Sequence, residues 1–332
     1  MGLGLGWRLY CPSCSFVGEE QVYYPFCPRC GKPLEVEGTL PPMRSELGEG
    51  RTPLVFEGEV AFKLEHLNPS GSFKDRGVSY SLQVARQLGY RCAVIDSSGN
   101  AAISAALYSR RLGLEPVVVV PQGAHRGKLS LISSLGARLV TVESRERAQE
   151  VAVSFSRECF YISHPTSPLF LEGMKSLGEE LSEISGRLAV TAPVSSGSLL
   201  LGLYRGLRSR GVKARLIAAQ AAEKASLVPY VGKVYSTGGE SSRLADALVI
   251  GRPPRLAELA RAVAESDGAV VKVGDKAIRE SLGELLDMGF LVEPSSAVAW
   301  SAYKALKGEL RGEQVVIVLT GSGLKYPEGL RS

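Results

Sequence analysis

The sequence predicts an α/β protein, with largely parallel sheets covered on both faces by helices. Short valine-rich runs recur without polar alternation, the pattern of strands buried on both sides. Stretches of helical periodicity lie between them, and that alternation is the signature of parallel crossovers. The length of 332 residues is too great for one simple core and suits about two domains plus an appendage.

The elements follow in chain order. Cys11, Cys14, Cys27 and Cys30 form two CxxC turns with twelve residues between them. Each turn can aim two thiolates at one ion, and two facing turns complete a tetrahedral site, so a structural Zn2+ is expected. Disulfides or idle thiols are the alternative. Gly31 follows the second turn and Ser15 the first. Pro41 and Pro42 close this ribbon, with a boundary expected near residue 38. Strands are then expected at Val60–Leu64, Cys92–Asp96, Pro116–Val120, Arg138–Val142, Leu188–Ala192, Arg215–Ala219 and Gln314–Leu319. Helices are expected at Lys74–Leu88 and Asn100–Leu112, with amphipathic segments between the later strands. Cys92 and Cys159 lie in apolar runs and read as core residues.

Composition excludes several classes. Apolar residues make up 45% and charged residues 22%, which rules out disorder, collagen and coiled coil. The longest apolar runs, such as Pro116–Pro121, are about six residues, against about 20 for a spanning helix. Met1–Gly6 lacks the basic flank and apolar stretch of a signal peptide, so a cytoplasmic location is expected. The 39 basic residues exceed the 34 acidic ones by only five and form no basic block, which argues against nucleic acid as a partner. Asparagine occurs only at Asn68 and Asn100, and 26 of the basic residues are Arg. Avoidance of a thermolabile amide points to a hot-living source, with codon bias as the alternative.

In such sheets, ligands sit where strand ends lead into helix amino termini. Three loops of Gly and small hydroxylated residues stand there: Asp96–Asn100, Thr191–Ser198 and Leu319–Leu324. Each can present amides to an anion. The most specific segment is Asn68–Gly77, which reads NPSGSFKDRG. Lys74 at a helix amino terminus sits at the positive end of the dipole, where its ammonium is disfavoured, and imine chemistry needs such a lysine. A surface lysine beside a Ser70 or Ser72 cap is the alternative reading.

The segment resembles the Schiff-base lysine motif of the fold-type II pyridoxal-phosphate enzymes, the tryptophan synthase β family. Its wording is most similar to that of the threonine synthases. The resemblance runs over nearly the whole chain after residue 50. It includes Ser97–Asn100, Glu172–Ser176, Pro193–Ser198, Glu293–Ala297 and Leu319–Lys325, and an amino-terminal cysteine ribbon is familiar in archaeal-type members. The resemblance implies two αβα domains: residues 39–88 and 165–332 as the larger, cofactor-binding one, and 89–164 as a smaller mobile one, with 1–38 as a zinc ribbon. It implies that Lys74 carries pyridoxal 5'-phosphate and later moves the substrate's α-proton, and that Asn100 bonds the ring's 3-oxygen. Ser195, Ser196, Gly197, Ser198 and Leu199 would hold the phosphate, and Thr320 would face the ring nitrogen. A neutral hydroxyl there moderates the electron sink, which suits elimination and replacement. The backbone around Ser97, Ser98 and Ala101 would take the substrate's α-carboxylate.

The departures bear on the substrate. Ser195 and Ser198 stand at positions usually held by Gly, and Ala101 where relatives often have Thr. Phe170 stands two residues before Glu172, where threonine synthases commonly place a basic residue against the substrate's phosphate. A phenyl ring does not replace a bidentate anion contact. Arg126 and Lys128 are the candidate substitutes. The expected reaction is conversion of O-phosphohomoserine and water to threonine and phosphate, by a homodimer acting on a small amino acid, away from membranes. The alternatives are a serine or threonine dehydratase, a β-replacing enzyme using phosphoserine, and a non-catalytic zinc-ribbon protein that binds nucleic acid. His66, His125 and His164 stand in no ligand spacing, and none is assigned to catalysis.

Overall fold

The computed structural model describes residues 6–325. Three strands open the chain: β1 (Trp7–Tyr10), β2 (Val17–Glu20) and β3 (Glu35–Gly38). They are followed by β4 (Leu54–Glu57), β5 (Val60–Lys63), α1 (Lys74–Gln87), β6 (Cys92–Ile95), α2 (Asn100–Leu112) and β7 (Glu115–Pro121). Next come α3 (Arg126–Ser134), β8 (Arg138–Val142), α4 (Arg145–Phe155), β9 (Phe160–Tyr161) and α5 (Pro168–Leu181). The remainder is β10 (Leu188–Pro193), α6 (Ser198–Ser209), β11 (Ala214–Ala221), β12 (Val234–Thr237), α7 (Leu256–Glu265), β13 (Ala269–Val273), α8 (Asp275–Asp287), α9 (Pro294–Leu306) and β14 (Gln314–Val318). The expected α/β class is what forms.

Contacts divide the chain into two compact units, residues 1–49 with 74–173, and residues 50–73 with 174–332. The first holds the ribbon, ordered β2-β1-β3, and a sheet ordered β8-β7-β6-β9. In that sheet every pairing is parallel. Helix α4 covers the face made by Val94, Val117, Val119 and Tyr161. The boundary at Phe73–Lys74 differs from the expected grouping of 39–88, because α1 packs along α2 and therefore sorts with β6 and β7.

The second unit is built on one sheet ordered β12-β13-β11-β10-β14-β5-β4. All its pairings are parallel except the β4–β5 hairpin. Alternate residues Val60 and Phe62, Ile217 and Ala219, Val271 and Val273, and Val315 and Ile317 face α8 and α9 in one core. The opposite face carries α6 and α7. Among the described residues no helix is long and apolar enough to cross a membrane.

Cys92 and Cys159 are a correction to the sequence reading, because they form a disulfide. The register explains the bond. Ala93 pairs with Phe160 across parallel strands, so the residues just before them stand side by side.

Candidate active site

The first unit carries Lys74, Ser97, Ser98, Asn100 and Ala101; the second carries Ser195–Leu199 and Thr320. Each group is assembled by its own unit, and the chain passes from one to the other at Phe73–Lys74.

Lys74 is the first residue of α1. Its Nζ lies 5.9 Å from the centre of the Phe170 ring. Phe170 is fully buried, and its ring fills the space a side chain at Gly77 would need, so it is a core residue between α1 and α5. The His164 ring stands edge-on to the same Phe170 ring, with centroids 6.3 Å apart. Burial first, and then the Lys74 charge, hold the His164 imidazole well below its usual range, so it is neutral at pH 7. Sequence reasoning passed over His164, because proximity through a shared aromatic ring leaves no spacing signal.

Asn100 opens α2, with Gly99 in extended conformation before it and no side-chain cap. The Gly99 N–H donates to the Ser97 hydroxyl at 3.2 Å, folding the loop into a turn. Ala101 is buried, so its methyl belongs to the core and what it can offer a ligand is its amide. Asp96 begins this loop and accepts the Tyr161 phenol at 2.7 Å. Burial raises the Asp96 carboxyl above its usual range, and that hydrogen bond offsets part of the rise. Lys128 is buried and Arg126 exposed.

In the second unit β10 ends in the Ser195–Ser198 turn, where Gly197 has φ 86° at the amino terminus of α6. An L side chain is disfavoured there, and a Cβ would also run into Leu259. No side chain caps α6, while the hydroxyls of Ser196 and Ser198 stand 3.4 Å apart and buried. The Ser195 hydroxyl is engaged differently, accepting the Ile250 N–H at 3.0 Å. Thr320 follows β14 and is buried, its hydroxyl 3.1 Å from that of Ser296. Ser296 also accepts the Gly321 N–H at 3.0 Å, so one side chain fixes the strand end. The sequence reading quoted Ser296 without giving it a role, and its contacts are with Thr320 and Gly321.

The loop before Lys74 is tied to the same strand end. The Phe73 N–H donates to the Thr320 carbonyl at 3.1 Å, and Ser72 forms a bridge with Gly321. Asn68 is structural. Its carboxamide donates to Glu65 and accepts the Gly50 N–H.

These residues fit pyridoxal phosphate. The Ser72 hydroxyl is fully buried without a hydrogen-bond partner among the described residues, a costly state that a polar ligand group beside Gly321 would relieve. The uncapped α6 turn, with buried hydroxyls, suits a phosphate.

The cysteines fit zinc. Their sulfurs all lie within 4.8 Å of one another. The closest pairs are Cys11–Cys30 at 3.6 Å and Cys14–Cys27 at 3.4 Å. A tetrahedron of thiolates around zinc needs about 3.8 Å between sulfurs. Ser15 (φ 55°) and Gly31 (φ 70°), the residues after each turn, share the left-handed conformation that closes such knuckles. The ribbon is not a loose appendage. Tyr23 stacks on Phe160 at 4.2 Å, and its phenol donates to the Tyr161 carbonyl at 2.9 Å.

Comparison with known proteins agrees with this geometry. A family model described as pyridoxal-phosphate dependent enzyme matches residues 45–321. The threonine synthase of Halalkalibacterium halodurans is 30% identical, over 85% of this chain and 84% of its own. That of Synechocystis is 29% identical, over 96% and 86%. Among solved structures, maize serine racemase superposes with a TM-score of 0.72 at 22% identity, over 84% of this chain and 90% of its own. A threonine deaminase from Solanum lycopersicum gives 0.73 at 21%, over 84% and 86%, so both show the shared fold.

Proposed function

The chain belongs to the pyridoxal-phosphate-dependent enzymes, and on that premise we propose that it converts O-phosphohomoserine and water to threonine and phosphate. The observation that carries the substrate is the likeness to threonine synthases, about 30% identical over most of both chains. Overall the Cγ–O bond breaks and phosphate leaves, Cβ exchanges one hydrogen for the hydroxyl of water, and Cγ takes up a proton to become the methyl group. Bound pyridoxal phosphate supplies an electron sink for charge developing at the substrate's α-carbon.

In this reading Lys74 holds the cofactor and then carries the α-proton. Its place on the rigid end of α1, against the buried Phe170 ring, limits where that amine can reach. Asn100 hydrogen-bonds the ring's 3-oxygen. Amides and hydroxyls of Ser195, Ser196, Gly197, Ser198 and Leu199 bind the phosphate at the start of α6. Thr320, oriented by Ser296, sets a neutral hydroxyl against the ring nitrogen. The turn at Ser97, Ser98 and Ala101 takes the substrate's α-carboxylate. Neutral His164 and buried Lys128 are the polar groups to test for the substrate's phosphate, since Phe170 is core.

Cys11, Cys14, Cys27 and Cys30 hold a structural zinc in this reading. A heat-adapted source fits the asparagine-poor composition, and intracellular proteins of such organisms use disulfides like Cys92–Cys159; in this reading the enzyme is a cytoplasmic homodimer. A dehydratase acting on serine or threonine is the second reading, favoured by the apolar Phe170 at the expected cation position.

The test is optical. Purified protein is expected to absorb in roughly the 400–430 nm region, with about one cofactor per chain. Borohydride should trap the cofactor on the wild type and not on a folded Lys74→Ala variant. A wild type that stays colourless after pyridoxal phosphate is added sinks the proposal.

A further inference from the structure

We propose that Tyr161 is a positioning residue for the Asp96–Asn100 loop, and that the cysteine ribbon acts on this loop through Tyr161. Every residue involved lies in the first unit. Strand β9 is only two residues long and pairs with β6 at the sheet's edge. So short a strand has little pairing of its own, yet it is fixed at both ends. The Cys92–Cys159 bond holds the end where the strands begin. The Tyr161 hydroxyl, donating to Asp96 at 2.7 Å, holds the end where β6 becomes the loop.

The ribbon covers this edge. Tyr23 donates to the Tyr161 carbonyl at 2.9 Å, and the Phe26 ring meets the Tyr161 ring edge-on at 6.2 Å. Thr166, just beyond β9, donates to the Pro25 carbonyl at 3.3 Å. Tyr161 is 1% exposed, so its ring is packed in place and its hydroxyl is held within reach of Asp96. Within the loop the Gly99 N–H donates to Ser97, no side chain caps α2, and Asp96 is the residue that leads from β6 into that turn. Fixing Asp96 therefore sets where the turn at Ser97 and Ser98 points.

The consequence for catalysis rests on the reading that this turn takes the substrate's carboxylate. The positioning itself does not, and the experiment keeps the two apart. Amide hydrogen exchange is measured on the full chain for wild type, Tyr161→Phe and Asp96→Asn. Both variants should exchange about tenfold faster at Gly99 and Ala102, while Ile162, bonded to Val94, keeps its protection. Tyr23→Phe should give a smaller acceleration at the same two amides. In Tyr161→Phe the KM for O-phosphohomoserine should rise about 5- to 30-fold, with kcat within about twofold. Unchanged exchange at Gly99 and Ala102 overturns the proposal, as does equal acceleration at Ile162, which would mean general loosening. Unchanged exchange in Tyr23→Phe removes the ribbon from it.

Discussion

Phe73, the residue before Lys74, donates its backbone N–H to the carbonyl of Thr320 at 3.1 Å. The last residue of the loop that leads to the lysine is thus tethered, within the second unit, to the strand end whose hydroxyl is proposed to face the cofactor ring. Ser296 holds that strand end through both the Thr320 hydroxyl and the Gly321 N–H. Glu293 closes it from the other side, its N–H donating to the Gly321 carbonyl at 2.9 Å.

Removing the Ser296 hydroxyl should therefore weaken cofactor binding without unfolding the sheet. Ser296→Ala leaves a buried Thr320 hydroxyl and a Gly321 N–H in need of partners, costing about 1–2 kcal/mol, or roughly 5- to 30-fold in cofactor affinity. Titration of apoenzyme with pyridoxal phosphate, followed by absorbance, measures it. Affinity equal to wild type would show that Ser296 does not serve the site.

The Cys92–Cys159 bond closes a chain segment with a sequence separation of 67. On the chain-entropy account, opening such a loop costs about 4 kcal/mol. Cys159→Ser, or reductant, should lower the denaturation midpoint of the first unit, while the cofactor band responds less. An unchanged midpoint under reductant would place the stability of β9 elsewhere.

Acidification should destabilise the second unit through His66. Burial is the main cause that lowers its imidazole from 6.5 to about 4. Between those values the unfolded chain binds more protons than the folded one, so folding loses ground as pH falls. The contribution is fully present above about pH 6.5, is lost toward pH 4, and amounts to about 3 kcal/mol. His66→Gln should flatten that part of a stability-against-pH curve. A variant as steep as wild type would assign the slope to other groups.

About one zinc per chain is expected by elemental analysis. Stripping it with a chelator should loosen the ribbon and expose Phe160, which Tyr23 covers. Deleting residues 1–38 should accordingly cost stability in the first unit and leave the second folded. Metal-free protein with an unaltered denaturation curve would argue that the cysteines are idle.

What the sequence disclosed follows from what each part buries. Strands buried on both faces, such as Leu188–Pro193 and Gln314–Val318, read as unbroken apolar runs and stand within a residue of expectation. The edge strands Leu54–Glu57 and Val234–Thr237 bury little, so their mixed composition resembles loop. Lys74 and Gly197 were singled out through the family resemblance, and they stand at a helix start and in a left-handed turn. Ser296, His164 and Tyr161 were not, because their importance lies in contacts with residues distant in sequence. The Cys92–Cys159 pairing depended on the register of β6 and β9, which local patterns do not encode.

The most direct test offers O-phosphohomoserine, serine, threonine and O-phosphoserine side by side to the cofactor-loaded protein, measuring phosphate, keto acid and threonine. Release of phosphate together with threonine, from O-phosphohomoserine alone, is the predicted result. Keto acid from serine or threonine, with O-phosphohomoserine inert, would contradict it and establish a dehydratase on the same frame.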